Sequence, residues 1–138
     1  MTAPLLLDTC AVIWISSGQP VQQAARDAMR DALANRAPVY LSPITAWELG
    51  LLMSRGRLPA SINERAMLAR LTALPGVAYA NMSPNILIDS SYLPGPIHKD
   101  PADRIIIATA RAEGLTIITR DQKILDYAKQ GHVNALKC

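Results

Sequence analysis

The sequence predicts a single α/β domain in which a mainly parallel central β-sheet is flanked by helices on both faces. The chain has 138 residues, half of them hydrophobic and 18% charged, which is ordinary for one globular domain. Short apolar runs alternate with longer segments of helical periodicity, and strands buried on both faces of a parallel sheet read as such runs. No repeat, linker or low-complexity segment divides residues 1–138.

The first half of the chain alternates strands and helices. "PLLLDTC" is an apolar run that ends on polar residues, as at the C-terminal end of a buried strand. Small apolar residues at helical spacing predict an amphipathic helix from Val21 to Arg36. "PVYLS" predicts a second strand, and Ser42 with Pro43 predicts the start of a helix that Gly56 ends. The buried stripe of that helix is predicted to contain Ile44, Trp47, Leu51 and Leu52.

The second half continues the alternation. "INERAMLARLTALPG" predicts a helix stopped by Pro75 and Gly76, and "VAYANM" predicts a third strand. "SPNILIDSSYL" predicts a short helix, and "HKDPADRIII" begins a longer one that reaches Glu113 and ends at Gly114. "LTIIT" is the next strand, "DQKILDYAKQ" the last helix and "VNALK" a final strand. Strands separated by helices indicate a parallel sheet.

The cysteines and the apolar runs indicate a cytoplasmic protein. Cys10 and Cys138 lie near opposite ends of the chain without metal-ligand spacing, which favours neither a disulfide framework nor a zinc site. No apolar run approaches the roughly 18 residues of a membrane span. We therefore expect a cytoplasmic location and no membrane partner.

Four acidic residues from distant parts of the chain are predicted to meet at one edge of the sheet. Asp8 ends the first strand and Asp121 follows "LTIIT", so both lie beyond the carboxyl ends of strands, where parallel sheets bind ligands. Glu48 lies about two turns into the helix after the second strand, and Asp103 lies in a first turn. Each also has a structural explanation, as a helix cap or a solvated helix residue. For Asp100 the N-cap role is preferred.

The segments that contain these acids resemble PIN-domain ribonucleases, and in particular the VapC toxins of bacterial type II toxin–antitoxin systems. The segments are "LLLDTCAVIW", "SPITAWELGLL", "HKDPADRIIIATARAEG" and "LTIITRD", in the family's order over nearly the whole chain. The resemblance implies a PIN-like fold with a catalytic, metal-binding quartet of Asp8, Glu48, Asp103 and Asp121. Supporting or substrate-contacting roles are expected for Thr9, Asp100, Arg104, Thr119 and Arg120.

Carboxylates packed at close range favour a hard divalent cation. A close pair repels by roughly 4 kcal/mol at an effective dielectric constant of 20, so a quartet requires protons or cations. Oxygen ligands without histidine or thiolate favour Mg²⁺ or Mn²⁺ over zinc. Such an ion activates a water molecule and stabilises a leaving oxygen. The expected reaction is hydrolysis, and the resemblance implies that RNA is cut to leave a 5′-phosphate and a 3′-hydroxyl.

Charge and aromatic content agree with an RNA substrate. If the four acids bind metal, only seven of the 11 Asp and Glu residues remain to balance 14 Lys and Arg residues, which leaves a basic surface. With two tryptophans, four tyrosines and no phenylalanine, recognition of an RNA loop by shape and phosphates is favoured over base stacking. The sequence leaves open whether the target is tRNA, ribosomal RNA or mRNA, and whether one or two ions act.

The resemblance also implies protein partners. It predicts a cognate VapB-type antitoxin that inhibits the nuclease, a homodimer, and contact with operator DNA only through the antitoxin complex. Apolar residues of the predicted helices fit a dimer surface and a core equally well: Leu52, Met53, Met67 and Leu71.

Other functions fit the sequence less well. A catalytically inactive PIN-fold binding or regulatory module is disfavoured because all four acids are present. A haloacid-dehalogenase-type phosphatase requires a second acid two residues after Asp8, where Cys10 stands. A phosphorelay receiver domain requires a phosphoacceptor aspartate on a middle strand, and "VAYANM" contains none.

Overall fold

The computed structural model describes residues 3–97 and 99–138; residues 1 and 2 and His98, the first residue of "HKDPADRIII", lie outside these ranges. The strands are β1 (Leu5–Leu7), β2 (Val39–Leu41), β3 (Val77–Tyr79), β4 (Thr116–Thr119) and β5 (Asn134–Lys137). All neighbouring strands pair in parallel, in the order β3-β2-β1-β4-β5. The predicted α/β fold class is therefore confirmed.

Helices connect the strands. They are α1 (Thr9–Ser16), α2 (Gln23–Ala34), α3 (Pro43–Ser54), α4 (Glu64–Thr72), α5 (Pro84–Asp89), α6 (Pro101–Glu113) and α7 (Gln122–Lys129). Gly114 ends α6 in the left-handed conformation, with φ +67°, which glycine adopts without steric cost. Over the described ranges, no helix combines the length and the apolar character needed to cross a membrane.

The sheet separates two apolar clusters. Leu5 and Leu7 point into the first, together with residues of α1 to α4, whereas Leu6 points into the second, together with residues of α6 and α7. Adjacent side chains of a strand point to opposite faces, so β1 is buried on both sides. This explains why the central strand is an uninterrupted apolar run. It also fixes the position of the residue that follows, Asp8.

One helix was not anticipated and one sequence expectation is wrong. No helix was predicted at α1, because "TCAVIWIS" is rich in β-branched residues and lacks a polar face, so it resembles a strand. Trp47 does not belong to a buried stripe: it is 54% exposed, and the fully buried residues of α3 are Thr45 and Leu49. The helix buries a small polar face near the sheet edge instead of a broad apolar stripe. Of the four residues considered for a dimer surface, Met67 is buried, and Leu52, Met53 and Leu71 are partly buried.

Substitution of Leu6 by alanine tests the importance of the two-sided core. Leu6 has no exposed surface, and its truncation leaves a cavity in the apolar cluster that it shares with residues of α6 and α7. We expect Leu6→Ala to lower the free energy of unfolding by about 2–5 kcal/mol. Urea unfolding followed by circular dichroism measures this. Leu87→Ala, at a position that is 39% exposed, is the matched control and should cost less than about 1 kcal/mol. Equal losses in the two variants would contradict this description of the core.

Candidate active site

Asp8 lies at the carboxyl end of β1 and caps α1. Its Oδ1 accepts the backbone N–H of Ala11 at 2.8 Å, and the residue is only 2% exposed. The capping bond satisfies one of the free N–H groups at the helix start, which explains why α1 begins directly after the strand. A carboxylate is thus held at the central position of the sheet edge.

The hydroxyl of Thr119 connects Asp8 with Asp121. Thr119 ends β4, which pairs with β1, and its hydroxyl donates to Asp8 Oδ2. The hydroxyl oxygen of Thr119 also accepts the backbone N–H of Asp121 at 3.0 Å. Asp121 Oδ1 accepts the N–H of Lys123 at 2.8 Å and caps α7. Two of the predicted acids are therefore linked through one hydroxyl group, at the position where the family resemblance expects an ordering hydroxyl.

Glu48 is oriented by a second pair of hydroxyls. Thr9, the first residue of α1, donates its hydroxyl to Glu48 Oε1 at 2.5 Å. The hydroxyl of Thr45 lies 3.0 Å from that of Thr9. Sequence reasoning missed Thr45, although its spacing of three residues from Glu48 places both on the same face of α3. That spacing, with a hydroxyl next to a candidate acid, was the available signal.

Asp103 lies in the first turn of α6, where Asp100 precedes it. The backbone N–H of Asp103 donates to Asp100 Oδ1 at 3.1 Å, which confirms the N-cap role predicted for Asp100. The geometry leaves the Asp100 carboxyl close enough to affect Asp103 and Glu48 electrostatically.

The acids raise one another's pKa values. Burial, followed by the charges of Asp100, Asp121, Glu48 and Asp8, raises the pKa of Asp103 to about 8. Burial is also the main cause that raises the pKa of Asp8 to about 6, with smaller effects from Asp121 and Glu48; the hydrogen bonds from Thr119 and Ala11 act in the opposite direction. The pKa of Glu48 is raised by burial more than the Thr9 bond lowers it. The four predicted acids therefore share one electrostatic environment.

Cys10 also faces this environment. The pKa of its thiol is raised to about 12, first by loss of hydration and then by the charges of the four acids, Asp8 most of all. The thiol therefore stays protonated at neutral pH and is not a nucleophile. Cys10 stands two residues after Asp8 in the sequence, and the structure places its side chain within reach of the charges of the site.

Arg104 and Arg120, the cations nearest the acids in sequence, contact backbone carbonyls. Arg104 Nε donates to the carbonyl of Ser90 at 2.8 Å, which joins α6 to the end of α5. Arg120 Nη2 donates to the carbonyl of Pro20 at 2.9 Å, and its Cζ lies 3.8 Å from the centroid of the Trp14 ring. These contacts give both arginines a structural role.

The donor set has the chemistry of a divalent-cation site. Its acids offer oxygen ligands, and burial together with neighbouring negative charge raises the pKa values of Asp8, Glu48 and Asp103, a cost that Mg²⁺ or Mn²⁺ would offset. In the part of the chain that the structure describes, however, no three or more His, Cys, Asp or Glu side chains are already grouped to hold a metal ion. Side-chain movement would have to accompany binding.

Comparison with family models identifies the fold: the model of the PIN domain family matches residues 5–130. The chain belongs to the PIN domain family. Among curated proteins it is similar to "Ribonuclease VapC22" of Mycobacterium tuberculosis, with 28% identity over 124 residues, 90% of this chain and 91% of that protein.

Solved structures share the fold. VapBC2 of Rickettsia felis, bound to a DNA fragment from its promoter, aligns with a TM-score of 0.67 and 15% identity over 96% of this chain and 97% of that chain. A toxin–antitoxin complex of Klebsiella pneumoniae aligns with a TM-score of 0.55 and 28% identity over 86% of this chain and 88% of that chain. The first likeness shows the fold alone, because its identity is low.

The raised pKa values predict that stability falls as pH rises. In the folded chain the pKa values of Asp8 and Asp103 are about 6 and about 8, whereas the ordinary value of 3.8 applies to the unfolded chain. From about pH 4 to about pH 8 the folded state therefore holds more protons, and the free energy of unfolding decreases with pH. We expect Asp103→Asn to remove about 1–2 kcal/mol of this decrease, less than the full shift would give because Asp103 is partly exposed to water.

Urea unfolding in EDTA at several pH values measures the effect. Asp31→Asn, which removes an exposed carboxyl of α2, is the control and should leave the pH dependence close to that of the unsubstituted chain. A pH dependence that Asp103→Asn does not alter would show that the acids are not crowded.

Proposed function

We propose that the chain is a Mg²⁺- or Mn²⁺-dependent endoribonuclease and the toxin of a VapBC-type toxin–antitoxin system. The observation that carries the proposal is the crowding of Asp8, Glu48, Asp103 and Asp121 at the edge of a PIN-domain sheet, with raised pKa values at the first three. The similar ribonuclease of Mycobacterium tuberculosis supports RNA as the substrate, and the similar toxin–antitoxin complex of Klebsiella pneumoniae supports the biological role.

Asp8, Glu48, Asp103 and Asp121 would hold the cation. When bound, Mg²⁺ or Mn²⁺ supplies positive charge beside a scissile phosphate and lowers the pKa of water. Carboxylates repel one another unless a proton or a cation lies among them. Electrostatics therefore favours closer approach of the four acids when a cation binds. The chain provides oxygen donors and an unfavourable charge density that a cation relieves.

The residues around the acids limit how they move. The Thr119 hydroxyl holds Asp8 Oδ2 and the backbone of Asp121, while Thr9 holds Glu48 Oε1. Such outer contacts orient carboxylates before the reaction and reduce the reorganisation that catalysis requires. The basic surface that remains would attract the phosphates of RNA. In hydrolysis by water the sugar 2′-hydroxyl of RNA is not the attacking group.

The proposal includes the partners expected of such a toxin. A VapB-type antitoxin would inhibit the nuclease, and operator DNA would be contacted through the antitoxin complex. The complexes of similar fold support an antitoxin partner. A homodimer is proposed as well, since Trp47, Ile88 and Tyr92 are large apolar side chains that are more than half exposed.

A bound cation should offset the repulsion between the ionised acids and so stabilise the folded chain. We expect saturating Mg²⁺ or Mn²⁺ to raise the thermal midpoint of unfolding by several degrees at about pH 8, because cations bind the ionised acids. The increase should be much smaller at about pH 5, where protons occupy Asp8 and Asp103. Differential scanning calorimetry measures both, with Na⁺ at equal ionic strength as the control. An equal shift at both pH values would argue against carboxylate ligands.

RNA cleavage tests the proposed activity directly. Antitoxin-free protein should make discrete cuts in total cellular RNA with Mg²⁺ or Mn²⁺ and none with EDTA, and sequencing the new ends names the substrate. Asp8→Asn should reduce the rate on the order of 100-fold or more, because asparagine keeps the helix cap but lacks the charge. Asp31→Asn should leave it unchanged.

Intact RNA under every metal tested, with the protein folded, would support the inactive binding or regulatory module instead. Release of inorganic phosphate from small phosphate esters would favour a phosphatase.

A further inference from the structure

We propose that Thr45 is a positioning residue that holds Glu48, through Thr9, in the orientation in which Glu48 binds the metal ion. The inference rests on the proposed function for the role of Glu48. Thr45 touches neither the cation nor RNA in this scheme. Thr45 acts by orienting the hydroxyl of Thr9, which in turn orients the carboxylate of Glu48.

The three side chains form one hydrogen-bonded chain across two helices. Thr45 lies on α3 with no exposed surface, and its Oγ1 is 3.0 Å from Oγ1 of Thr9 on α1. Thr9 is 5% exposed, and its Oγ1 is 2.5 Å from Glu48 Oε1. Glu48 alone of the three is partly open to solvent. The buried end of the chain is therefore Thr45, and the end at the site is Glu48.

The number of hydroxyl hydrogens fixes the direction of this chain. An ionised carboxylate only accepts, so Thr9 must donate its single hydrogen to Glu48. Its oxygen can then only accept from Thr45, which makes Thr45 the donor in the 3.0 Å contact. A hydroxyl that accepts one bond is polarised and donates the next more strongly. Thr45 thus strengthens the bond to Glu48 only when Glu48 carries the charge that a cation requires.

Other helical threonines of the chain behave differently. The hydroxyl of Thr109, also fully buried, donates to the carbonyl of Ile105 in its own helix at 2.7 Å, and that of Thr72 donates to the carbonyl of Leu68 at 2.8 Å. Such bonds to the preceding turn are the ordinary way for a helical threonine to satisfy its hydroxyl. Thr45 instead directs its hydroxyl to Thr9 of another helix, and Thr9 contacts the site acid Glu48. Thr109 is therefore the matched control for a structural role.

Thr45→Val removes the donor while it preserves the branched shape of the side chain. We expect the dissociation constant for Mn²⁺, measured by calorimetry or by the electron paramagnetic resonance of free Mn²⁺ without RNA, to rise about 10-fold, as for outer partners of metal ligands. In cleavage assays the Mn²⁺ concentration for half-maximal rate should rise equally, with KM for RNA unchanged. Thr45→Ser, which keeps the donor, should restore affinity to within about threefold.

Thr109→Val loses an equally buried hydroxyl and should bind Mn²⁺ as the unsubstituted chain does. If Thr45→Val does not fold, Thr45→Cys, with a weaker donor of similar size, replaces it. Unchanged Mn²⁺ binding in the folded donor-deficient variant, or equal weakening in Thr109→Val, would overturn the inference.

The binding measurement separates this inference from the proposed function. An unsubstituted chain that binds Mn²⁺ but cuts no RNA would overturn the nuclease proposal, and the comparison of variants would still decide the role of Thr45. A chain that binds no Mn²⁺ would overturn both.

Discussion

Burial of carboxylates beside one another at one edge of the sheet opposes folding of this chain. Burial removes water that would screen Asp8 and Asp103, and the neighbouring charges raise their pKa values further. Such an edge opposes folding unless the remainder of the chain provides enough stability. The two-sided core does so, because β1 carries apolar side chains into both clusters and ends directly at Asp8. The strand that is buried on both faces of the sheet thus ends at a buried carboxyl group.

The donors that contact Asp8 and Glu48 orient these two carboxylates without carrying a positive charge. Asp8 receives a backbone N–H and the Thr119 hydroxyl, and Glu48 receives the Thr9 hydroxyl; all three donors are neutral. Arg104 and Arg120 adjoin the acids in sequence but bind carbonyls of Ser90 and Pro20. Fixed ion pairs with arginine would have satisfied the carboxylates permanently. Hydroxyl donors restrict geometry and leave the negative charge available to a cation.

Local rules predicted the sheet and placed Asp8 and Asp121 at its edge, whereas the quartet of acids as a site came from the family resemblance and stays a prediction. Buried parallel strands are apolar runs, and residues after such runs lie at the ligand-binding edge. Helix α1 was not predictable by pattern, because its β-branched residues become helical only through the Asp8 cap and packing against the sheet. The exposure of Trp47 and the carbonyl partners of the arginines also depend on distant elements. Spacing along α3 could have placed Thr45 on the same face as Glu48, but its contact with Thr9 depends on the packing of α1 against α3.

The strand order has a consequence for synthesis of the chain. Asp8 and Thr119 are 111 residues apart, yet they are direct neighbours because β1 lies beside β4. At a translation rate of about 5–20 residues per second, on the order of ten seconds separate their emergence from the ribosome. During this interval β1 has only β2 beside it, and Asp8 lacks the hydroxyl that holds it. A nascent chain therefore carries Asp8 and Glu48 well before the Thr119 hydroxyl exists, so the acidic edge of the sheet assembles only after β4 has been synthesised.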